Sequence, residues 1–451
     1  MPDVWEGTKG LLVASRGPGH VAFGGASIDS RETEPGDLFF AIKGERQDGH
    51  DFVAQAFAAG AVGAVVERPV DAPDDAALFH VSDSLKALQQ LAASRRRQHD
   101  VRVVGVTGSV GKTTCKEIIA SVLSRRYNTL KSEANLNTEI GIPLTLLRLT
   151  SEHARAVLEL AMYARGDIAL LCEISAPQIG VITNIGPVHM ERLGSIGAIV
   201  ATKAELVEAL QDDGLAVLNG DDTRTAALAT RTRARVVLYG QSQQCHLRAS
   251  DISGYGLDGI SFRMTHGNDS VQVSCPLPGK HHIYPALAAA AVAINDGMNL
   301  DEAADALAEA RPQLRMRILD GPNGSRILDD SYNASPASMV AALDLLAELP
   351  GRRIALLGEM RELGAAEEEG CRLVGERAAA GACDMLLVIG ERAQPIAEAA
   401  RDGGLKNVQF LESNEVAIKA LLSQLRAGDQ LLVKASRAVA LEAIVDALVT
   451  R

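Results

Sequence analysis

The segment Val103–Thr114, VVGVTGSVGKTT, constrains the fold of this chain more than any other. Val101–Val106 is mostly β-branched and apolar, the pattern of a parallel strand buried on both faces. Gly108, Gly111, Lys112 and Thr113 follow, and a helix begins at once. Glycines let backbone N–H groups converge on phosphate oxygens. The lysine adds a point charge, and the threonine hydroxyl can ligate Mg²⁺. The helix N-terminus also favours an anion. A strict phosphate loop carries a glycine five residues before Gly111, where Val106 stands. Gly105 and Gly108 flank that position, so T-G-S-V-G-K-T-T is a variant loop. The competing reading is a structural glycine turn with a surface lysine. The strand, loop, G-K-T and helix in series favour nucleotide binding.

The rest of the chain is punctuated as three α/β units, in keeping with 451 residues. Residues 1–99 carry the strand-like DLFFAI and VGAVVE around a helix-like DFVAQAFAAGA. SRRRQHD (Ser94–Asp100) reads as a solvated helix end and linker. Residues 100–312 repeat strand-then-helix, as a parallel sheet requires. Their alternating stretch, Cys245–Pro276, suggests inserted antiparallel strands before the helical ALAAAAVAIN, and a helix is expected over Asp301–Ala310. Residues 313–451 form a third series with strands in RRIALLGEM, CDMLLVIGE, KNVQFLE and DQLLVKASR. The net charge of −12 argues against nucleic-acid partners. The acidic start MPDVWEG is unlike a signal peptide. No apolar run reaches the roughly 18 residues of a membrane span, so a cytoplasmic enzyme is expected. The six scattered cysteines have no C-x-x-C spacing and read as reduced thiols.

Several polar residues fall after strands, where ligands gather in doubly wound sheets. Glu159 ends AVLEL; a carboxylate there needs a partner or a metal, and a structural salt bridge is the alternative. His189 lies in a loop and by itself reads as a hydrogen-bonded loop residue. Lys203, on an apolar-periodic helix, reads alone as a surface lysine. Asp329 and Asp330 could hold a ribose or an amine, or cap a helix. Arg315 and Arg317 could be surface cations or anchors for a transferred phosphate.

Taken in order, these segments resemble the Mur ligases, ATP-dependent amide-forming enzymes of peptidoglycan precursor synthesis. SIDSRETEPGDLFFAIKGERQDGHDF is similar to the family's domain for the UDP end of the substrate, and GVTGSVGKTT to its ATP loop. NLNTEIGIPLTLL, LELAM, VITNIGPVHMERLGS and TKAEL follow in the family's order. DDSYNASPASM, LGEMRELG and LLVKASR look like the member that adds the final dipeptide. The D-N-P-R motif of the diaminopimelate-adding sibling is absent from the sequence. The resemblance implies three domains: a small N-terminal α/β domain (1–99), a central P-loop-type parallel-sheet ATPase domain (100–312) and a C-terminal Rossmann-like domain (313–451). It implies ATP-dependent joining of D-alanyl-D-alanine to UDP-N-acetylmuramoyl-tripeptide by a monomer. A sibling ligase adding another amino acid, or a non-catalytic ATP-binding partner subunit, are the alternatives.

By position, the resemblance implies that Gly108, Ser109, Val110, Gly111, Lys112, Thr113 and Thr114 cradle ATP, with Asp330 on its ribose. Thr113 and Glu159 would hold one Mg²⁺ and His189 a second. Lys203 matches a lysine that the family carbamylates with CO₂. Arg315 would reach the γ-phosphate. Ser30, Arg31, Asn135, Asn137 and Thr138 would meet the UDP-peptide. The family's H-N-x-x-N-A-L-A-A is HHIYPALAA here, with His282 and Pro285 where asparagines are expected. Leu314 precedes Arg315 in place of the usual glycine, and KASR replaces K-G-S-R. With parts supplied by three domains, closure is expected before chemistry.

Overall fold

The computed structural model describes residues 4–8, 10–17 and 21–449; the acidic Met1–Asp3 lies outside them. Its strands fall into three sheets. The N-terminal sheet has β1 (Leu12–Arg16), β2 (Gly25–Ser27), β3 (Asp37–Phe40), β4 (Gly63–Val66) and β5 (Leu78–Val81), in the order β1-β5-β4-β3-β2. Only β1 runs antiparallel to its neighbour.

The central sheet holds β6 (Arg102–Thr107), β7 (Thr129–Lys131), β8 (Arg155–Glu159), β9 (Ile179–Ile182), β10 (Leu215–Asn219) and β11 (Arg235–Gly240). It continues through β12 (Leu247–Gly254), β13 (Ile260–His266) and β14 (Asp269–Cys275). The order is β14-β13-β12-β11-β10-β9-β6-β8-β7. β12–β14 are the antiparallel strands expected before the alanine-rich helix, now Ile283–Asn295. The helix expected at Asp301 starts at Leu300, where Asn299 and Glu302 form a capping box. From β6 the chain crosses to β7 and β8 on one side, then returns to β9 on the other. The sheet's switch point therefore lies beside β6, and the crevice opens where the glycine loop begins.

The third sheet comprises β15 (Arg317–Asp320), β16 (Arg326–Asp329), β17 (Arg353–Gly358), β18 (Met385–Ile389), β19 (Val408–Leu411) and β20 (Gln430–Lys434), ordered β15-β16-β20-β17-β18-β19. All but the edge strand β15 are parallel. Apolar clusters cover both of its faces, as a parallel sheet demands.

The Ser84–Arg97 helix corrects the sequence reading of SRRRQHD. Its buried Leu88, Leu91 and Ala92 belong to one core with Val103, Ile142 and Leu171 of the central domain. Arg95 and Arg96 are buried too. Arg95 donates through Nε and Nη2 to the Leu149 carbonyl at 3.0 and 2.6 Å. Arg96 donates to the Ser175 carbonyl at 3.1 Å and reaches that of Ala176. Both cations thus cap the carboxyl ends of central-domain helices, Gly141–Leu147 and Asp167–Ser175, where carbonyls are unpaired and the dipole is negative. Of the three arginines only Arg97 is exposed, as are Gln98 and Asp100 after it. Arg95→Met keeps the apolar stem and removes the donors. It is expected to cost about 1–3 kcal/mol, seen as a lower urea midpoint of the first unfolding transition. An unchanged midpoint would mean that water replaces the guanidinium.

Candidate functional site at the carboxyl end of β6

Gly108 and Gly111 have φ of +152° and +82°. A Cβ on Gly108 would sit 1.9 Å from Thr183 Oγ1, so this residue must be glycine for β9's following loop to approach. That loop braces the cradle. Ser109 N–H donates to the Asn184 carbonyl at 2.9 Å, and Val110 N–H to Asn184 Oδ1 at 3.0 Å. The Val110 carbonyl accepts from Thr183 Oγ1 at 2.7 Å and Asn184 Nδ2 at 2.9 Å. Ser109 Oγ exchanges bonds with Gly186. Thr183, Asn184 and Gly186 were not singled out in the sequence. Their signal was the T-N-x-G run directly after an apolar strand.

The helix begins at Lys112 and carries Thr113 and Thr114 in its first turn. Lys112 Nζ folds back to the Gly108 carbonyl at 3.0 Å. Lys203, on the Ile196–Glu208 helix, donates to the same carbonyl at 2.8 Å and is 1% exposed. It is not the surface lysine that its helix suggested. Burial, reinforced by the Lys112 charge, holds its amine well below the ordinary lysine range. Burial also lowers Lys112; Glu159 opposes this shift and Arg315 adds to it. Two amines on one carbonyl, in a loop whose N–H groups suit an anion, form an electropositive cradle.

Glu159 ends β8 opposite Val106 of β6. It is 2% exposed, and its Oε2 accepts from Thr113 Oγ1 at 2.6 Å and its Oε1 from Asn137 Nδ2 at 3.0 Å. A buried carboxylate met by neutral donors, with a hydroxyl beside it, is a hard-oxygen pair suited to Mg²⁺. Among the described residues, no group of three or more His, Cys, Asp or Glu side chains is gathered. An ion here would therefore take its remaining ligands from substrate phosphate and water, as Mg²⁺ does.

His189 lies after β9, and its Nδ1 is 2.5 Å from Glu362 Oε2 of the C-terminal domain. Burial lowers its pKa; Glu362 opposes that shift, while Lys112 and Lys203 add to it. Arg315 precedes β15, with its guanidinium 4.3 Å from the Tyr332 ring centroid; Arg437 lies 5.1 Å from the same ring. Asp330 accepts from buried Lys434 at 2.5 Å. Asp329 instead pairs with Arg317 and accepts from Ser331, making it structural. Neither acid caps the next helix, which Ser335 caps.

The structure thus gathers Lys112, Thr113, Asn137, Glu159 and Lys203 around the loop. Asn135 is exposed, and the Thr138 hydroxyl accepts from Gly141 N–H at 3.4 Å. Ser30 and Arg31 bond within their own domain, to Gln55 and Asp29. His282 and Pro285, two of the departures from the family pattern, are satisfied locally. Pro285 is the third residue of its helix, where no intrahelical N–H bond is lost. Buried His282 pairs through Nδ1 with the Pro278 carbonyl at 2.6 Å. All six cysteines are buried and free, and burial raises the Cys115 thiol, which suits packing rather than redox chemistry.

Comparison with known proteins is consistent along the chain. Family models match residues 23–96 (Mur ligase family, catalytic domain), 106–293 (Mur ligase middle domain) and 314–437 (Mur ligase, glutamate ligase domain). A Synechocystis UDP-N-acetylmuramoyl-tripeptide–D-alanyl-D-alanine ligase is 40% identical over 93% of this chain and 90% of its own. The Escherichia coli ligase of the same name is 38% identical over 94% and 93%. The structure of MurF from Acinetobacter baumannii superposes with a TM-score of 0.87 at 30% identity, covering 100% of this chain and 98% of that one. MurF from Thermotoga maritima, solved with ADP, gives 0.82 at 30% identity over 95% and 97%. On these matches, which span all three sheets, the chain belongs to the Mur ligase family.

Proposed function

We propose that this protein joins D-alanyl-D-alanine to UDP-N-acetylmuramoyl-tripeptide in an ATP-dependent reaction that passes through an acyl phosphate. The observation that carries the reaction class is the meeting of Lys112, Thr113, Glu159 and Lys203 at the carboxyl end of β6. The shared name of the relatives supports the substrates. The tripeptide's terminal carboxylate attacks the γ-phosphorus of ATP, and the bond to the ADP oxygen breaks. The dipeptide's amine then adds to the acyl carbon and gives up a proton, and phosphate leaves as the C–O bond breaks.

The protein's work is positioning and charge neutralisation. Gly111–Thr114 present N–H groups to the phosphates, those of Ser109 and Val110 being held by Asn184, and Lys112 leaves the Gly108 carbonyl to meet them. Arg315, already within electrostatic reach of Lys112, adds a second cation from the C-terminal domain. Asp330 takes the ribose; Ser30, Arg31, Asn135, Asn137 and Thr138 take the UDP-peptide. Thr113 and Glu159 would hold one Mg²⁺, with His189 and carbamylated Lys203 serving a second. When bound, Mg²⁺ offsets the repulsion between an anionic nucleophile and an anionic phosphate. The depression of the Lys203 pKa by burial favours the neutral amine, the form that adds CO₂. No helix among the described residues is long and apolar enough to cross a membrane. In this reading the working unit is a cytoplasmic monomer.

The test is phosphate release from ATP with Mg²⁺, the UDP-tripeptide and D-alanyl-D-alanine, each omitted in turn. Release should require all of them and yield the UDP-linked pentapeptide. Release with a single amino acid in place of the dipeptide would move the assignment to a sibling ligase. ATP binding without amide formation from any precursor would favour a non-catalytic subunit.

A further inference from the structure

The contact between the central and C-terminal domains at His189 is built from both backbones. His189 and Glu362 each adopt the left-handed conformation, with φ of +56° and +64°. That conformation is uncommon for residues other than glycine. Here both members of one contact are held so. The Met190 N–H donates to the Glu362 carbonyl at 3.0 Å, fixing the two loops relative to each other. The Glu362 carboxylate then lies 2.5 Å from His189 Nδ1. Arg192 Nη2 is 3.7 Å from its other oxygen. A second pair across the same seam, Arg392 with Glu191 at 3.4 Å, flanks the first. The His189 ring is further bounded by Tyr163, edge-on at 6.1 Å between centroids.

This geometry commits the imidazole. With a carboxylate at Nδ1, that nitrogen is the one that carries the proton, and Nε2 keeps its lone pair. A histidine held this way is oriented to ligate through Nε2, and losing such an outer carboxylate typically costs about 10–100-fold in metal affinity. The feature particular to this chain is where the carboxylate comes from. Glu362 lies in the loop after β17, in a different domain from His189 and from the phosphate loop.

We propose that Glu362 is a positioning residue that the C-terminal domain supplies to His189, so that the His189 metal site is complete only when these two domains are docked. The inference rests on the reading of His189 as a metal ligand given above. It makes docking and ion binding one linked equilibrium, because an ion that favours the oriented ring also favours the docked domain. The loop thereby couples the arrival of Arg315, on the same domain, to the readiness of the metal site.

The test uses the full chain with a non-hydrolysable ATP analogue and Mn²⁺ as the spectroscopic stand-in for Mg²⁺, titrated by electron paramagnetic resonance. Glu362→Ala is expected to weaken the Mn²⁺ uptake that exceeds the nucleotide's own by about tenfold or more. Glu362→Gln, which retains a carbonyl acceptor, should recover part of the loss. In a His189→Ala background, Glu362→Ala should have no further effect, because its action runs through the ring. Amide exchange at 189–194 should quicken in Glu362→Ala. Unchanged Mn²⁺ uptake in Glu362→Ala, no uptake beyond the nucleotide's own in the unaltered protein, or additive losses in the double variant would each overturn the proposal. Phosphate release by the unaltered enzyme, measured beside it, judges the ligase reading separately. An active enzyme with unchanged Mn²⁺ uptake defeats the role of Glu362 alone. An inactive one defeats the ligase reading, and the titration still decides Glu362.

Discussion

Lys203→Met is expected to leave a folded protein that resists urea better at pH 7 and has lost most of its activity, about 10²–10³-fold in kcat. The two effects have one cause. Lys203 is 1% exposed, and burial holds its folded pKa well below that of a free lysine. The unfolded chain protonates at about 10.4. Between the depressed folded value and that figure, the unfolded state binds the extra proton, so stability rises with pH. Methionine removes this slope while filling the same volume with the same kind of stem. The Gly108 carbonyl is not orphaned, since Lys112 Nζ still donates to it at 3.0 Å. In CO₂-free buffer the variant should therefore exceed the wild type at pH 7, with the gap closing as the pH approaches 10. Bicarbonate should stabilise only the wild type, because a ligand bound by the native amine shifts the folding equilibrium. Paired urea titrations at pH 7 and 9.5, with and without bicarbonate, check this. Full activity in Lys203→Met would remove Lys203 from the mechanism, and equal pH slopes would mean that the folded protein does not hold its amine below the free value.

Lys112→Ala is expected to lower kcat/KM by about 10³-fold, with unfolding little changed. In the structure the Lys112 ammonium rests on the loop's own carbonyls, Gly108 at 3.0 Å and Ser109 at 3.5 Å. Those bonds are local, and Lys203 retains the Gly108 contact at 2.8 Å. What disappears is the cation nearest the phosphate cradle. Lys112→Arg should not rescue, because a compact ammonium and a planar fork occupy different space and hydrogen-bond differently. Steady-state phosphate release and binding of a fluorescent ATP analogue separate the outcomes. A variant that binds the analogue and retains normal kcat would show that Lys112 serves the loop's shape alone.

Much of this site could be seen in the sequence because its parts are local. A buried strand feeding a glycine loop and a helix is dictated by periodicity and by the conformational freedom of Gly108 and Gly111. The inserted antiparallel strands showed as alternation over Cys245–Pro276. What misled was judging single residues by their own element. Arg95 and Arg96 sit at the end of a polar helix, and nothing within Ser94–Asp100 reveals the helix ends they cap. Asp329 and Asp330 look equivalent, yet one meets Arg317 and the other Lys434. Those partners lie twelve residues back and about a hundred residues on.

By itself, the sequence determined the kind of chemistry: residue types and order specify three α/β sheets, a phosphate cradle at the end of β6, and the family to which the chain belongs. Tertiary structure alone decided the electrostatics. The shift of the Lys203 amine comes from burial beside a loop 95 residues away. The partner of His189 comes from another domain altogether. Desolvation and Coulomb interaction depend on what surrounds a charge in space, and no period or motif along the chain records that.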